Sequence, residues 1–327
     1  MVVRGAARAL SFSVPFDVRY FPDDPKPPEW RNAIAAVGNF DGLHRGHAKI
    51  IERVCRQAAE RAATPLVLTF DPHPPRVVRP DKAPPLLMTL AQKIEALEHA
   101  GVQGVAVVRF THELSQWEPE AFVQRVLVDW LRVSEVWVGG NFLFGRGRVG
   151  NFSMLRLLGM QYGFRAEKID PVRYKDFVVS STRVRRLVTE GRVDEAAALL
   201  GHHYVVDGVV VRGDQRGRQL GFPTANLQTA NELLPPNGVY VTVAMVGGLA
   251  RPSVTNVGVR PTFGGGAAQT IETHVLDLAS DLYDRRIRIA FLQRLREERA
   301  FDGVEALRAQ ITADVGHARA LFQRISL

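Results

Sequence analysis

Between residues 33 and 139 the chain alternates short apolar runs with longer stretches in which apolar residues return every three or four positions. Ala33 to Val37 is apolar throughout and stops at Gly38, which predicts a buried strand. Ile50, Ile51, Val54, Ala58 and Ala62 then mark one face of a helix starting near His47. Leu66 to Phe70 predicts a second strand, Leu90, Ile94 and Leu97 another helix, and Val105 to Phe110 a third strand. Phe122, Val126 and Leu131 share a helix, followed by a strand over Glu135 to Val138. Such alternation predicts a doubly wound parallel α/β sheet covered on both faces. Ligands in these sheets sit at the carboxyl ends of strands, so the loops after Val37, Phe70 and Val138 become the candidate site.

The texture changes near Thr189 to Gly201. A helix holding Ala196 to Leu200 ends at Gly201, a suitable C-cap. Beyond it lie β-rich runs at Tyr204 to Val211, Val239 to Val246, Ile271 to Leu278 and Arg286 to Leu292, punctuated by Gly and Pro, which predict an antiparallel β-barrel. Val304, Leu307, Ile311, Val315 and Ala318 make one apolar stripe, so an amphipathic helix closes the chain. The expected domains are 1–188 and 189–327. The proline-rich Pro22 to Pro28 reads as a surface segment within the first of them.

Composition narrows the functions. At 327 residues the chain suits two cores. No apolar run approaches the roughly 20 residues that cross a bilayer, and Met1 to Phe16 lacks a sustained apolar core, so a cytoplasmic protein without a membrane partner is expected. Cys55 is the only cysteine, which excludes an internal disulfide and a cysteine metal cluster, and its helical spacing with Ile51 and Ala58 makes it a packed thiol. The net charge of +8, spread along the chain, favours phosphate ligands.

The segment Gly38-Asn39-Phe40-Asp41-Gly42-Leu43-His44-Arg45-Gly46-His47 joins the first strand to the first helix. Glycines such as Gly38 and Gly46 let backbone approach a phosphate, and the helix N-terminus offers free N–H groups. His44 and His47 can then address one polyphosphate, supplying donors for adenylyl transfer; a metal pair or two solvated loop histidines is the bland alternative. Asn141, in Gly139-Gly140-Asn141-Phe142-Leu143-Phe144-Gly145, can serve a nucleotide or acceptor phosphate or simply form a turn. Ser180, Ser181 and Thr182 precede Arg183 and Arg185 on a helical stretch, where hydroxyls either cap the helix or hold the β/γ-phosphates with Arg185. Phe70-Asp71-Pro72-His73-Pro74 either borders an acceptor pocket or forms a rigid turn.

The second distinctive stretch runs from Gly213 to Leu227. Gly213, Gly217 and Gly221 can expose N–H groups to phosphate, while Thr224 and Asn226 bring hard oxygen ligands suited to magnesium with a nucleotide. A long glycine hairpin is the alternative. Glu272 alternates with Ile271, Thr273 and Val275, so it faces the other way, into the barrel mouth as a base or out to solvent.

GNFDGLHRGH, FDPHP, GGNFLFG and SSTRVR, in that order, resemble the HxGH nucleotidylyltransferase superfamily, and within it the adenylyltransferase half of the bacterial bifunctional riboflavin kinase/FAD synthetases. GRQLGFPTANL, NVGVRPTF, ETHVLDL, LYDRRIRIAFLQRLREE and QITADVGHAR resemble the flavokinase half of the same family. The resemblance spans Ala33 to Phe322. It implies a six-stranded barrel, with Thr224 and Asn226 binding magnesium-ATP, Glu272 acting as base on the ribityl hydroxyl, and Arg296 near the flavin. In the first domain it implies nucleotide contacts from Gly38, Phe40, Asp41 and Gly46 beside His44, His47 and Asn141. The implied chemistry is riboflavin to FMN, then FMN to FAD, each consuming ATP. Riboflavin, FMN and ATP are the expected partners, with no nucleic acid and with self-association open. Asp284 replaces a usual glycine and Leu278 a usual aromatic, and Gly264-Gly265-Gly266 has no counterpart. The rivals are another HxGH transferase with a different acceptor, and a nucleotide- or flavin-binding regulator whose barrel binds RNA. The latter needs aromatics interleaved with arginine, and Tyr204 and Tyr240 are isolated.

Overall fold

A computed structural model describes residues 15–213, 217, 220–261, 267–278 and 280–324. The sequence expectations for the first fourteen residues, for positions 214–216 and 218–219 of the glycine-rich stretch, and for Gly264 to Gly266 lie outside them. The chain forms two compact units, which meet in sequence at Ser181 and Thr182.

The first unit is built on a six-stranded sheet. Its strands are β1 (Asp17–Phe21), β2 (Ile34–Val37), β3 (Pro65–Asp71), β4 (Gly104–Arg109), β5 (Glu135–Gly139) and β6 (Arg165–Ile169). They lie in the order β1-β4-β3-β2-β5-β6, with every neighbouring pair parallel. The chain works outward from β2 to β4, then returns to the other side of β2 with β5. The order therefore reverses between β2 and β5, where Val37 pairs with Val138 and where ligands gather in such sheets.

Alternate residues of each strand point to opposite faces, and both faces are buried. Ala35, Val37, Leu66, Leu68, Val136 and Val138 face one core. Ile34, Ala36, Val67, Val105 and Val107 face the other, which α1 (Arg45–Glu60) covers with Ile50, Ile51, Val54 and Ala58. The helices α2 (Pro74–Val78), α3 (Leu90–His99), α4 (His112–Ser115) and α5 (Pro119–Phe122) follow. The segment expected as one helix through Leu131 is π-helical over Val123–Trp130, with Val123, Val126 and Leu127 still turned inward. Packing overrides regular winding there. The helix expected to reach Ala62 stops at Glu60, and Ala62 takes a left-handed φ of 49° that no helix continues. After α6 (Phe152–Tyr162) and the hairpin β7 (Arg173–Tyr174) and β8 (Phe177–Val178), α7 (Ser181–Thr189) begins on the last residue of this unit.

The second unit holds α8 (Val193–Leu200), which ends on Gly201 at φ 87°, and a closed barrel of order β10-β13-β12-β11-β14-β9. Its strands are β9 (Tyr204–Val211), β10 (Ala225–Thr229), β11 (Gly238–Val246), β12 (Leu249–Pro261), β13 (Ala267–Val275) and β14 (Arg286–Arg296). The six strands exceed the four β-rich runs legible in the sequence, and the run expected to reach Leu278 leaves the strand after Val275. One face carries the fully buried Thr242, Ser253, Thr255 and Thr273, whose hydroxyls bond across three strands at 2.7–2.9 Å. The other face of β11 and β12 packs Val239, Val241 and Val254 against Ala318 and Val315 of the closing helix α9 (Val304–Phe322). Asp284 adopts φ 60°, a conformation that explains the glycine usual at this position and that aspartate tolerates.

The centre of the sheet leaves no spare volume. A Cβ on Gly104 would lie 2.5 Å from Trp30 Cζ2 and 2.9 Å from Leu66 Cδ2, both side chains being fully buried. Gly104→Ala is expected to cost about 1–3 kcal/mol by overpacking, read as a lower urea midpoint at unchanged slope. An unchanged midpoint would contradict this packing.

Candidate functional site

The loop after β2 is held in a conformation its side chains disfavour. Phe40 and Leu43 take φ of 48° and 41°, and Gly42 takes 82°. Burial compensates: Phe40 is fully enclosed, its ring packed beneath Gly38, where a Cβ would lie 3.3 Å from Phe40 Cε2. Gly38 N–H donates to Leu68 O at 3.1 Å, fastening the loop to β3. Asp41 is buried and accepts from the Leu87 N–H with both carboxylate oxygens, at 3.0 and 3.2 Å. The Ser181 hydroxyl donates to the Asp41 carbonyl at 2.8 Å. Such strained backbone persists only where surrounding contacts determine it, and it gathers at functional loops.

This loop delivers His44 to the N-cap of α1, which begins at Arg45, two residues earlier than expected. Its Nδ1 accepts from the His47 N–H at 3.3 Å, so Nδ1 carries no proton and Nε2 carries it. The rings of His44 and His47 stack at 3.7 Å with 13° between planes, and Phe40 packs against His47 at 5.1 Å. Gly46 makes this possible, because a Cβ there would lie 3.1 Å from both Nδ1 and Cε1 of His44. Burial pushes the His47 pKa well below its ordinary 6.5, assisted by His44 and by the cation of Lys93. The pair therefore stands as two neutral imidazoles at a helix N-terminus, a donor array suited to an anion.

Asn141 lies after β5, on the strand adjacent to β2, in a turn closed by Phe142 N–H to Gly139 O at 3.0 Å; its side chain is exposed. Ser180 is half-buried, and Ser181 opens α7. Thr182, exposed, and Arg185, half-buried, continue α7 into the second unit. His73 is the buried N-cap of α2. Cys55 is partly buried and its thiol is pushed up to about 11, so it stays protonated and inert.

One buried group escaped the sequence reading. Lys93, on α3, is 6% exposed, and its ammonium lies 3.4 Å from the Thr69 hydroxyl at the end of β3. Burial lowers its pKa while Asp41 and Asp71 oppose that shift. Leu90, Lys93, Ile94 and Leu97 follow the i, i+3, i+4, i+7 pattern, so a lysine inside an apolar stripe was the available signal.

In the second unit, the expected glycines serve side chains more than they serve open space. A Cβ on Gly213 would fall on the Asn226 amide, and one on Gly217 would lie 2.5 Å from Phe222 O and 3.3 Å from Thr224 Oγ1. Gly221 takes φ 85° in the turn before Thr224. Asn226 pairs with Glu272, which also pairs with Asn256 of β12. Ile271, Thr273 and Val275 are buried while Glu272 and His274 are half-buried, confirming the alternation. Glu272 does not enter the barrel mouth, however. It lies on the outer face, in a cleft of about 580 Å³ with Thr224, Asn226, Asn256, Phe301 and residues of α9. His274 donates through Nδ1 to Pro223 O at 2.8 Å and so ties β13 to the segment before Thr224. Thr224 also lines a second cleft of about 390 Å³, with Asp281 and Tyr283. Arg296 borders the larger cleft, and its guanidinium is engaged by Asp314 of α9, with Nη2 to Oδ2 at 2.8 Å.

Among the described residues no group of three or more His, Cys, Asp or Glu could hold a metal ion, and no helix is long and apolar enough to cross a membrane. By fold and family the protein is a transferase of two parts: the model of the FAD synthetase family matches residues 26–183 and that of riboflavin kinase residues 200–322. Bifunctional riboflavin kinase/FMN adenylyltransferases are 41% identical in Pseudomonas fluorescens, over 90% of this chain and 94% of the relative, and 38% identical in Escherichia coli K12, over 88% and 92%. The chain belongs to the bifunctional riboflavin kinase/FMN adenylyltransferase family. A crystal structure from Streptococcus pneumoniae, described as a macrolide-efflux protein, superposes with a TM-score of 0.83 at 25% identity, covering 92% of this chain and 98% of that one.

The depressed His47 pKa has a consequence for stability. The unfolded chain takes up a proton near pH 6.5 and the folded chain does not, so acidification below about pH 6.5 destabilises the fold. His47→Gln removes this proton linkage. Its thermal midpoint is expected to fall less steeply than that of the parent between about pH 7 and 5.5. Parallel slopes would contradict a neutral His47.

Proposed function

We propose that the two reactions of the family are divided between the units, with the stacked histidines serving FMN adenylylation and the Glu272 cleft serving riboflavin phosphorylation. The observation that carries this reading is the pair of neutral imidazoles, set by an N-cap and a stacked ring at the reversal point of the sheet.

In adenylyl transfer, an oxygen of the FMN phosphate attacks the α-phosphorus of ATP. A new P–O bond forms, the bond from the α-phosphorus to the bridging oxygen breaks, and pyrophosphate leaves with the electron pair. The attacking oxygen is already anionic, so no base is needed. Nε2–H of His44 and the His47 imidazole donate to the α-phosphate as its charge redistributes, and the Nδ1 contact on the His47 N–H fixes the His44 donor in place beforehand. Gly46 permits the ring to sit there, while Gly38, Phe40 and Asp41 hold the loop. Ser180, Ser181 and Asn141 are the further nucleotide contacts within this unit.

In the kinase step, the ribityl hydroxyl of riboflavin attacks the γ-phosphorus and ADP leaves. Glu272 takes the hydroxyl proton, with Asn226 and Asn256 directly across on the neighbouring strands. Thr224 lines both clefts, which supports a route for the phosphoryl group from nucleotide in the smaller to flavin in the larger. Phe222, Phe301, Val239, Val254 and Leu307 give the larger cleft apolar walls for an isoalloxazine ring. Arg296 and Asp314 brace the wall that α9 forms. Two neutral oxygen ligands two residues apart, Thr224 Oγ1 and Asn226 Oδ1, fit a magnesium ion that takes its remaining ligands from phosphate and water. Such an ion would neutralise charge on the transferred phosphoryl group.

The division is tested with full-length protein, ATP, magnesium and riboflavin, resolving flavins by chromatography. His47→Ala is expected to accumulate FMN and lose FAD formation by about 10²–10³-fold. Glu272→Ala is expected to stop FMN formation yet convert added FMN to FAD. Loss of both steps in either folded variant would refute the division.

A further inference from the structure

Lys93 is a charge the reactions described above do not use. A lysine is almost never this buried without a partner that compensates its charge. Here compensation is incomplete. Among the described residues Lys93 forms no ion pair, and the Thr69 hydroxyl at 3.4 Å occupies one of three ammonium donors. Burial works against the charged form while the fields of Asp41 and Asp71 favour it, but both oxygens of Asp41 already accept from Leu87 N–H.

The position is fixed from both ends of the side chain. A capping box at Thr89 and Gln92 sets where α3 begins, and Lys93 N–H continues it by donating to Thr89 O at 3.0 Å. At the other end, Thr69 Oγ1 donates to Asn39 O at 3.2 Å, so the ammonium rests on a hydroxyl that itself fastens the histidine loop. Lys93 thus spans from α3 to the carboxyl ends of β2 and β3, with His47 close enough for the two to act on one another.

We propose that Lys93 is a substrate-touching residue of FMN adenylylation, its ammonium meeting a non-bridging oxygen of the phosphates that react beside His47. This rests on the assignment of the stacked histidines to that reaction. The two imidazoles are neutral, whereas the triphosphate and the FMN phosphate bring several negative charges to one point. A desolvated ammonium with spare donors supplies the fixed positive charge that the histidines do not. In the free protein Asp41 and Asp71 hold that charge in readiness; in the complex a phosphate oxygen takes its open donors.

The test uses full-length protein, with the riboflavin kinase step of the same chain as the control for folding. Lys93→Met keeps the stem and removes the charge. It is expected to lower kcat for FMN adenylylation by about 10²–10³-fold while riboflavin phosphorylation stays within about twofold. Lys93→Arg keeps the charge and is expected to recover at least about tenfold over Lys93→Met. The proposal is overturned if Lys93→Met adenylylates FMN within about threefold of the parent, or if Lys93→Arg does no better than Lys93→Met. It is also overturned if adding Asp71→Asn to Lys93→Met restores the parental rate, since Lys93 would then serve only to balance a carboxylate. His47→Ala run in parallel separates the two readings: unimpaired adenylylation there refutes the histidine assignment itself, whatever Lys93 does.

Discussion

A histidine that caps the helix it precedes is the contact on which the first unit's chemistry depends. The His44 Nδ1 accepts from the His47 N–H, which satisfies a backbone donor and at once decides which ring nitrogen keeps the proton. Geometry alone then places His47 one turn on, with its ring over that of His44. A Cβ at Gly46 would crowd the same ring at 3.1 Å. The strained φ of Phe40 and Leu43 belongs to this arrangement too: the loop must turn sharply to bring His44 to the cap, and the buried Phe40 ring holds it there. Strain, cap and stack are one device.

The barrel reaches its own site by another route. A ladder of hydroxyls, Ser253–Thr242–Thr255–Thr273, crosses its interior, and the last of them, Thr273, also borders the smaller cleft. Alternation along β13 turns Glu272 outward instead, to the face that α9 covers only in part. The helix therefore stabilises the barrel through Val315 and Ala318 and also forms a wall of the cleft. The Arg296–Asp314 pair joins strand to helix at that wall.

What the sequence disclosed followed from periodicity and from glycine. The central strands of the sheet are apolar on both faces and were legible as such, as were the histidine loop and the Thr-Ala-Asn segment. The edge strands were not. Asp17–Phe21 is half-buried throughout and Arg165–Ile169 carries Arg165, Glu167 and Lys168 among its five residues, so neither resembles a buried strand. In the barrel, Pro252 interrupts β12, and β10 is only five residues long with a polar Asn-Leu-Gln centre. The outward direction of Glu272 was readable from alternation, but the cleft it enters was not, because that cleft exists only once α9 packs on β11 and β12. Lys93 was missed for the converse reason: its helical position was apparent, while its burial depends on a hydroxyl more than twenty residues away.

The central claim is that two neutral imidazoles, preset by the fold, grip the reacting phosphate. A crystal structure of the full-length protein with FMN and a non-hydrolysable ATP analogue tests it most directly. The account predicts Nε2 of His44 within about 3 Å of an α-phosphate oxygen, with the ring stack retained. An α-phosphate bound away from both rings, with the histidine stack turned into the apolar core, would contradict it.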